Sequence, residues 1–280
     1  MRANEVQISI LMSVYNPEEP ELSDAVRSIC DQSFTDWELL LYNDGSDKKY
    51  DACFAHVTSY DPRIRYIDGK KNHGLWYGLN RCIEYANGRY LARMDGDDEA
   101  LPERLQEQYL FLETHPDYSW VGSNILLFAD NRVWGERDYP IKPEANDYLE
   151  FLPYAHPTVM FRKEAFDQCG RYRNRMRSED YELFMRLQAY GMQGYNIQKP
   201  LLKYREDPNG ERKRTYKEYI EESRVRRDGF RKLQISGAKA VPYIIKPLVS
   251  GLLPEPLWKQ MKQRKNAKLE YEKADLERLN

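Results

Sequence analysis

Short apolar runs alternate with segments of helical apolar spacing along the first hundred residues. Four runs have the length of buried strands and lie at 7–14, 37–42, 64–67 and 90–94. Apolar residues recur at the spacing of one helix face over 22–29, and a second helical pattern lies near 75–87. Strands that alternate with helices predict an α/β fold with a doubly wound, mostly parallel sheet flanked by helices.

The second half of the chain continues with helices and strands in a less regular order. A helix is predicted over 102–113, and strands over 120–128, 153–161 and 201–205. The run at 153–161 brings His156 to the start of its strand. Ser178 precedes a further helical pattern that carries Glu179 and Asp180 in its first turn, and serine is a common helix cap.

Polar side chains stand where the predicted parallel strands end. Tyr15 and Asn16 follow the first strand, Asp44 ends the second, and Asp95 and Asp97 follow the fourth. The carboxyl ends of parallel strands meet at one edge of a sheet, where open α/β folds bind ligands. This convergence favours a nucleotide site, although the sheet connectivity alone would place these groups together in a non-enzyme as well.

Three carboxylates within four positions, Asp95, Asp97 and Asp98, follow the fourth strand. Asp95 and Asp97 can face one hard cation if the chain turns at Gly96, and glycine permits such a turn. Carboxylate oxygens suit Mg²⁺ or Mn²⁺, and these ions commonly bridge to phosphates. The alternative is a solvated acidic turn that caps the next helix. This short pattern alone leaves both interpretations open.

Composition and charge narrow the class of protein. A chain of 280 residues with 41% hydrophobic residues supports one large α/β domain with an appendage. A mean hydropathy of −0.83 argues against an integral membrane protein. Residues 206–280 hold 18 Lys and Arg against 12 Asp and Glu, whereas residues 1–205 hold 25 against 33. We therefore expect a negatively charged partner for the basic tail and no nucleic-acid partner.

The cysteines predict a reducing compartment. The four of them are widely scattered and form no CxxC pair. The N-terminus carries no pattern of a signal peptide, which favours reduced thiols in a cytoplasmic protein.

Four ordered motifs together resemble glycosyltransferase family 2. They lie at 8–16, 32–39, 43–47 and 92–98, and the match covers about residues 7–205. The resemblance implies a GT-A catalytic domain over 1–207, with a nucleotide-sugar half at about 1–100 and an acceptor half at about 101–207. It implies a metal-dependent, inverting glycosyltransferase with Mn²⁺ or Mg²⁺, a UDP-linked sugar donor, and a glycan or lipid-linked acceptor in surface polysaccharide synthesis.

The resemblance also assigns roles to residues of this chain. It makes Asp180 the general base and places Glu179 and His156 in the acceptor or diphosphate region. It assigns metal binding to Asp95 and Asp97. It assigns nucleotide binding to five residues: Tyr15, Glu19, Asp44, Arg93 and Asp95.

A purely structural role stays open for three of these residues. Glu179 and Asp180 could serve only to complement the helix dipole. His156 could be a histidine that is satisfied by backbone partners.

Two departures from the family pattern bear on the site. Many relatives carry Ala-Arg-Asn where this chain has Gly-Leu-Asn at 78–80, so an expected nucleotide-contacting arginine is absent. Arg93, or Lys70 and Lys71, could compensate. Relatives often carry a histidine after the last strand, but here Glu206 and Asp207 follow, which leaves the third metal ligand open.

The segment 208–280 reads as a basic helical extension. A charged helix is predicted over 215–233 and a solvated helix over 259–280. The apolar stretch 240–253 is too short, and too rich in proline, to span a bilayer as a regular helix. Two interpretations are open: a peripheral anchor on an anionic membrane surface through 236–265, or packing on the catalytic domain or on a partner subunit in an oligomer.

Two rival functions are open: a nucleotidyltransferase of the same fold neighbourhood and a non-catalytic protein of another class. A nucleotidyltransferase would be expected to carry a Gly-rich loop with Arg or Lys after the first strand, where this chain has residues 15–19, Tyr-Asn-Pro-Glu-Glu. A non-catalytic sugar-nucleotide-binding or scaffold protein would not need to retain Asp95, Asp97 and Asp180, and a turnover assay would separate it from an enzyme.

Overall fold

The computed structural model describes residues 6–208, 210, 214–266 and 269. Nine strands within this part of the chain form a single sheet: β1 Ile8–Val14, β2 Trp37–Asp44, β3 Ile64–Gly69, β4 Tyr90–Arg93, β5 Glu99–Ala100, β6 Tyr118–Ala129, β7 Arg132–Arg137, β8 Met160–Arg162 and β9 Gln193–Arg205. The helices are α1 Glu19–Cys30, α2 Asp51–Thr58, α3 Leu75–Tyr85, α4 Arg104–Thr114, α5 Glu164–Cys169, α6 Glu179–Ala189, α7 Tyr216–Lys232, α8 Gly237–Leu252 and α9 Glu255–Asn266.

The first four strands form a parallel half-sheet in the order β3-β2-β1-β4. All eight residues of β2 and all four of β4 are buried. Such continuous burial, rather than an in–out alternation, is typical of parallel strands that helices cover on both faces. The carboxyl ends of β1, β2 and β4 consequently lie side by side at one edge of the sheet.

The other strands extend this half-sheet in the order β8-β6-β9-β5, with β7 on β6. Only β6 and β9 pair in parallel here, and the other pairings are antiparallel. The predicted α/β fold, a sheet flanked by helices, is confirmed, with its parallel pairing concentrated in the first half of the chain.

The predicted strand at 153–161 is mostly wrong. His156–Thr158 forms a 3₁₀ turn, and only Met160–Arg162 pairs with the sheet. Pro157 has no N–H group to donate to a strand ladder, and its fixed φ suits the first turn of a helix. His156 therefore lies in a turn that precedes the strand by several residues.

Helices α7 and α8 pack on the second half of the fold. Val225, Phe230 and Ala240 are buried in the same apolar cluster as Phe184 of α6. On α8, the Ile244 carbonyl accepts a hydrogen bond of 2.8 Å from Ser223 of α7. The division at 207–208 stays a prediction, because this cluster joins residues from both sides of it.

The other face of α8 is open. Its exposed aliphatic side chains, between 47% and 69% exposed, are Val241, Ile245, Val249 and Leu252. No helix among the described residues is long and apolar enough to cross a membrane. Of the helix predicted over 259–280, the part at 267, 268 and 270–280 lies outside the described residues.

Candidate active site

A cavity of about 860 Å³ opens at the carboxyl edge of the parallel strands. Six of the predicted site residues line it, namely Arg93, Asp95, Asp97, His156, Glu179 and Asp180. The structure thus brings the D-x-D residues and the Glu-Asp pair to one cavity, although they are 85 positions apart from Asp95 to Asp180. Tyr15, Glu19 and Asp44 are not among its lining residues.

The D-x-D turn gathers three carboxylates. One oxygen each from Asp95, Asp97 and Asp98 lies within 4.8 Å of the other two. Removal from water and then the charge of Asp95 raise the pKa of Asp97 to about 6. Gly96 is required here for space rather than for an unusual φ, since an added Cβ would lie 2.9 Å from Val14 Cγ2.

Asp98 is the third carboxylate of this acidic cluster. Its Oδ1 accepts the backbone N–H of Arg205 at 2.9 Å, which ties the turn to the end of β9. Its Oδ2 is buried and has no hydrogen-bond partner in the described part of the chain. Three hard oxygen donors, one of them buried and unsatisfied, fit a divalent cation such as Mn²⁺ or Mg²⁺.

Arg93 interacts electrostatically with both the acidic cluster and the acid pair. It is 3% exposed and forms an ion pair with Asp95. Arg104 donates a hydrogen bond of 2.6 Å to the Arg93 carbonyl, and burial together with the charge of Arg93 lowers the pKa of Arg104 to about 9. Two buried arginines, Arg93 and Arg104, thus interact electrostatically with the carboxylates of this turn.

Glu179 and Asp180 are the first two residues of helix α6, and both line the same cavity. Burial, and then the charge of Asp180, raise the pKa of Glu179. Burial also raises the pKa of Asp180, against the Tyr181 N–H group that donates to Asp180 Oδ1 at 2.7 Å. The predicted side-chain cap by Ser178 is wrong: Ser178 occupies the cap position, but its buried hydroxyl makes no hydrogen bond to any described residue.

His156 is paired with a side chain rather than with the backbone. Its Nε2 lies 2.8 Å from the Tyr172 hydroxyl, and both rings are buried. Burial and then the charge of Arg93 hold the pKa of His156 well below its usual value, so the imidazole is neutral at neutral pH. Tyr172 is in turn held by Asn80, which accepts its N–H and donates to its carbonyl.

The three remaining predicted donor residues lie around the β1 and β2 ends. The Asp44 carboxylate is buried and accepts the N–H groups of His73 and Gly74, the latter at 2.8 Å. Tyr15 is 50% exposed. Glu19 forms an exposed contact of 3.3 Å with His56, and its nucleotide contact stays a prediction.

The structure shows the surroundings of the two positions at which this chain departs from the family pattern. Leu79, at the position of the absent arginine, is fully buried in the core. Of the three candidate replacements, Lys70 pairs with Asp68 and Lys71 is exposed, whereas Arg93 lines the cavity. Glu206 forms an ion pair of 3.0 Å with Arg137.

Three residues in or beside the cavity were given no site role from the sequence. Asp98 belongs to the acidic run that the sequence analysis noted, and it contacts the lining residue Arg205. Tyr172 and Arg205 come from a loop and from the end of β9, and no local pattern marks them. Arg205 donates from Nε to the Asp97 carbonyl at 2.8 Å, so its place depends on long-range packing.

Comparison with known proteins identifies the class. The sequence profile described as "Glycosyl transferase family 2" matches residues 9–170. EpsE of Bacillus subtilis (strain 168) is 35% identical over 89% of this chain and 90% of its own. The amylovoran biosynthesis glycosyltransferase AmsE of Erwinia amylovora is 30% identical over 76% of this chain and 81% of its own.

Solved structures show the same fold at low sequence identity. S. aureus TarS in complex with UDP-GlcNAc superposes with a TM-score of 0.62 at 15% identity, over 88% of this chain and 71% of that one. Mannosyltransferase PcManGT from Pyrobaculum calidifontis, in complex with GDP-Man and Mn²⁺, gives 0.59 at 16% identity, over 94% and 73%. The protein is thus a glycosyltransferase of the GT-A fold. It belongs to glycosyl transferase family 2, as its motifs predicted.

Proposed function

We propose that this protein transfers a sugar, with inversion at the anomeric carbon, from a UDP-linked donor to a hydroxyl group of a glycan or lipid-linked acceptor. The observation that carries the proposal is the shared cavity, which brings together a set of carboxylates suited to a divalent cation and a separate acid pair. A displacement needs both: one group for the departing diphosphate and another for the proton of the incoming hydroxyl.

Asp180 takes the role of general base in this proposal. The acceptor oxygen bonds to the anomeric carbon as the bond to the diphosphate oxygen breaks, and that electron pair leaves with UDP. The proton of the acceptor hydroxyl passes to Asp180. Attack from the face opposite the leaving group inverts the configuration. The raised pKa of Asp180 favours this role, because a base works best when its pKa approaches the working pH.

Asp95 and Asp97 would hold Mn²⁺ or Mg²⁺. When bound there, the cation supplies electrostatic stabilisation of the negative charge on the diphosphate. The chain's own residues prepare this position: Arg205 fixes the turn through the Asp97 carbonyl and the Asp98 carboxylate. The PcManGT complex with Mn²⁺ supports a cation in a protein of this fold.

The nucleotide end of the donor belongs at the β1 and β2 ends. Tyr15 would cover the base, and Asp44 would accept its imide N–H. A carboxylate has about four lone-pair sites, and the backbone N–H groups of His73 and Gly74 leave capacity on Asp44 for one more donor. Glu19 and Arg93 are assigned to the same donor, and the UDP-GlcNAc complex of TarS supports a UDP-linked sugar.

The acceptor is proposed from the relatives and from α8. AmsE carries the name of a polysaccharide pathway, which supports a role in surface polysaccharide synthesis. Helix α8 has an open aliphatic face and also exposes Lys239 and Lys246, a combination that suits the surface of an anionic membrane. We place the enzyme there, peripherally at the cytoplasmic face, where a lipid-linked acceptor would reach it.

A nucleotide-release assay tests the proposed activity. The full-length protein is incubated with Mn²⁺ and, in turn, UDP-glucose, UDP-galactose, UDP-GlcNAc, UDP-GalNAc and GDP-mannose, and the free nucleotide diphosphate is measured. Water takes the place of the acceptor hydroxyl in this assay and receives the sugar, so slow UDP release above background from at least one donor, abolished by EDTA, is the expected result. Release from GDP-mannose alone would overturn the UDP assignment, and release from none would count against transferase activity.

A further inference from the structure

The guanidinium group of Arg93 is held rigidly at the floor of the cavity. Arg93 ends β4, its backbone N–H donates to Val159 at 2.8 Å, and its carbonyl accepts from Arg104 at 2.6 Å. The residue is 3% exposed, yet it lines the cavity. A long side chain with both backbone groups fixed and almost no solvent contact has little freedom to move.

This guanidinium has spare donors. Of its five N–H groups, those on Nη1 face Asp95 in an ion pair, and Nε is buried with no hydrogen-bond partner among the described residues. A buried N–H without a partner is costly, and a native structure seldom keeps one without a reason. A ligand with an acceptor oxygen at this point of the cavity would satisfy it.

The position of Arg93 relates it to both halves of the reaction. Its charge is among the influences that lower the pKa values of Asp97, Glu179 and Asp180, against the larger effect of burial, which raises each. Arg93 therefore lies near the cation-binding turn and also near the acid pair. In an inverting displacement the sugar ring must lie between the leaving oxygen and the base, because the acceptor attacks from the opposite face.

We propose that Arg93 hydrogen-bonds oxygen atoms on the transferred sugar and so helps to select which sugar is transferred. This inference rests on the proposed function and narrows the donor role of Arg93 from the nucleotide sugar as a whole to its sugar ring. Asp95 already balances the charge of Arg93, so its remaining N–H groups suit neutral hydroxyl or carbonyl oxygens. The diphosphate has the carboxylate-bound cation as its partner instead.

The test compares two ligands on the same variants. Affinities for UDP and for the best-binding UDP-sugar of the four named above are measured by calorimetry with Mn²⁺, for wild type, Arg93→Met and Arg93→Lys. Both substitutions remove the Nε–H donor and the planar fork. We expect each to weaken UDP-sugar binding by about tenfold or more, as loss of charged hydrogen bonds does, and to leave UDP binding within about twofold.

Arg214→Met is the matched control. Arg214 lines the same cavity, but its guanidinium pairs with Glu222 and donates to the Arg177 carbonyl, so its loss should not change the ratio of the two affinities. A second control uses UDP-sugars that lack single hydroxyl groups. One deoxy analogue should bind wild type more weakly than the parent sugar, and Arg93→Met should bind the two alike.

Equal weakening of UDP and UDP-sugar in the Arg93 variants would overturn the inference, since it would assign Arg93 to the diphosphate or to the fold alone. An Arg93→Lys variant with wild-type affinity for both ligands would overturn it too. If wild type binds UDP but no UDP-sugar, the proposed donor is at fault rather than Arg93.

Discussion

At the scale of single residues, the chemistry depends on carboxylates kept in unusual surroundings. Asp98 keeps a buried oxygen without a hydrogen bond in the described structure, and Glu179 and Asp180 both lie in the first turn of α6. Neighbouring carboxylates repel each other and lose hydration, so their protons are held more tightly. A cation bound at the D-x-D turn, or a proton bound by the Glu179 and Asp180 pair, would lower this electrostatic cost. The proposed sugar transfer requires both cation binding and proton uptake.

Asp180→Asn separates a catalyst from a residue that serves only the first turn of α6. Asparagine keeps the size and a side-chain oxygen that can accept the Tyr181 N–H, but it cannot accept a proton near neutral pH. Transfer should fall by about 10²–10⁴-fold, while the thermal midpoint and UDP affinity stay near wild type. Product formation, differential scanning calorimetry and UDP titration measure the three quantities.

Glu179→Gln is the companion variant for Asp180→Asn. It removes a neighbouring charge from the same helix turn, so it reports any loss that comes from the helix dipole alone. If Asp180→Asn keeps most of its activity, or loses it only in step with stability, the base lies elsewhere. His156 is the next residue to test.

Cation binding should depend on pH. Because the pKa of Asp97 is raised to about 6, the turn holds a proton below that pH and must release it when a cation binds. Mn²⁺ affinity, measured by electron paramagnetic resonance with UDP present, should therefore be higher at pH 7.5 than at pH 5 by about tenfold. Equal affinity at both values would mean that these carboxylates are not the ligands.

At the scale of elements, the sequence predicted best where local pattern and packing agree. Strands β1, β2 and β4 are apolar runs that end in polar residues, and burial on both faces makes such runs unambiguous. The strand predicted over 153–161 was mostly wrong, because the run is apolar through burial in a 3₁₀ turn that Pro157 favours. Periodicity reports burial, and it does not by itself separate a buried turn from a strand.

Helix α8 bears on both open interpretations of the tail. One face packs through Ala240 and Ile244 in the apolar cluster that α6 and α7 share, as the packing interpretation expects. The other face is exposed, and its attachment to a membrane stays a prediction. Deleting the tail would damage the first face together with the second, so point variants are the better test. This outcome could not be read from composition, because both faces of the helix are apolar.

The triple variant Val241→Ser, Ile245→Ser, Val249→Ser should release the protein from anionic vesicles. Each change removes an aliphatic group from the open face without touching the packed one. We expect at least about a tenfold loss of binding to phosphatidylserine vesicles in flotation, with UDP affinity preserved.

Leu110→Ser, at a side chain 51% exposed on α4, is the matched control for the α8 variant and should leave flotation unchanged. If the triple variant floats as wild type does, the α8 face meets a subunit or another protein instead. Molar mass in solution, compared between wild type and the variant, then tests a second copy of this chain.

At the scale of the whole molecule, the active site arises where two differently built half-sheets meet. The parallel half supplies the carboxylate turn, and the mixed half supplies β9, the 3₁₀ turn and α6. The family resemblance named six of the residues that line the shared cavity. It did not predict the hydrogen bond between Asp98 and Arg205 or the pairing of His156 with Tyr172, since both join segments brought together only by the tertiary fold.

The most direct measurement is a calorimetric titration of UDP into the full-length protein, with Mn²⁺ and again with EDTA. Without a cation, the carboxylates of the turn face the diphosphate as bare like charges, so UDP should bind at least about tenfold more tightly with Mn²⁺. Asp97→Asn should lose most of that gain. Equal UDP affinity in Mn²⁺ and in EDTA would contradict a cation-dependent donor site at Asp95 and Asp97.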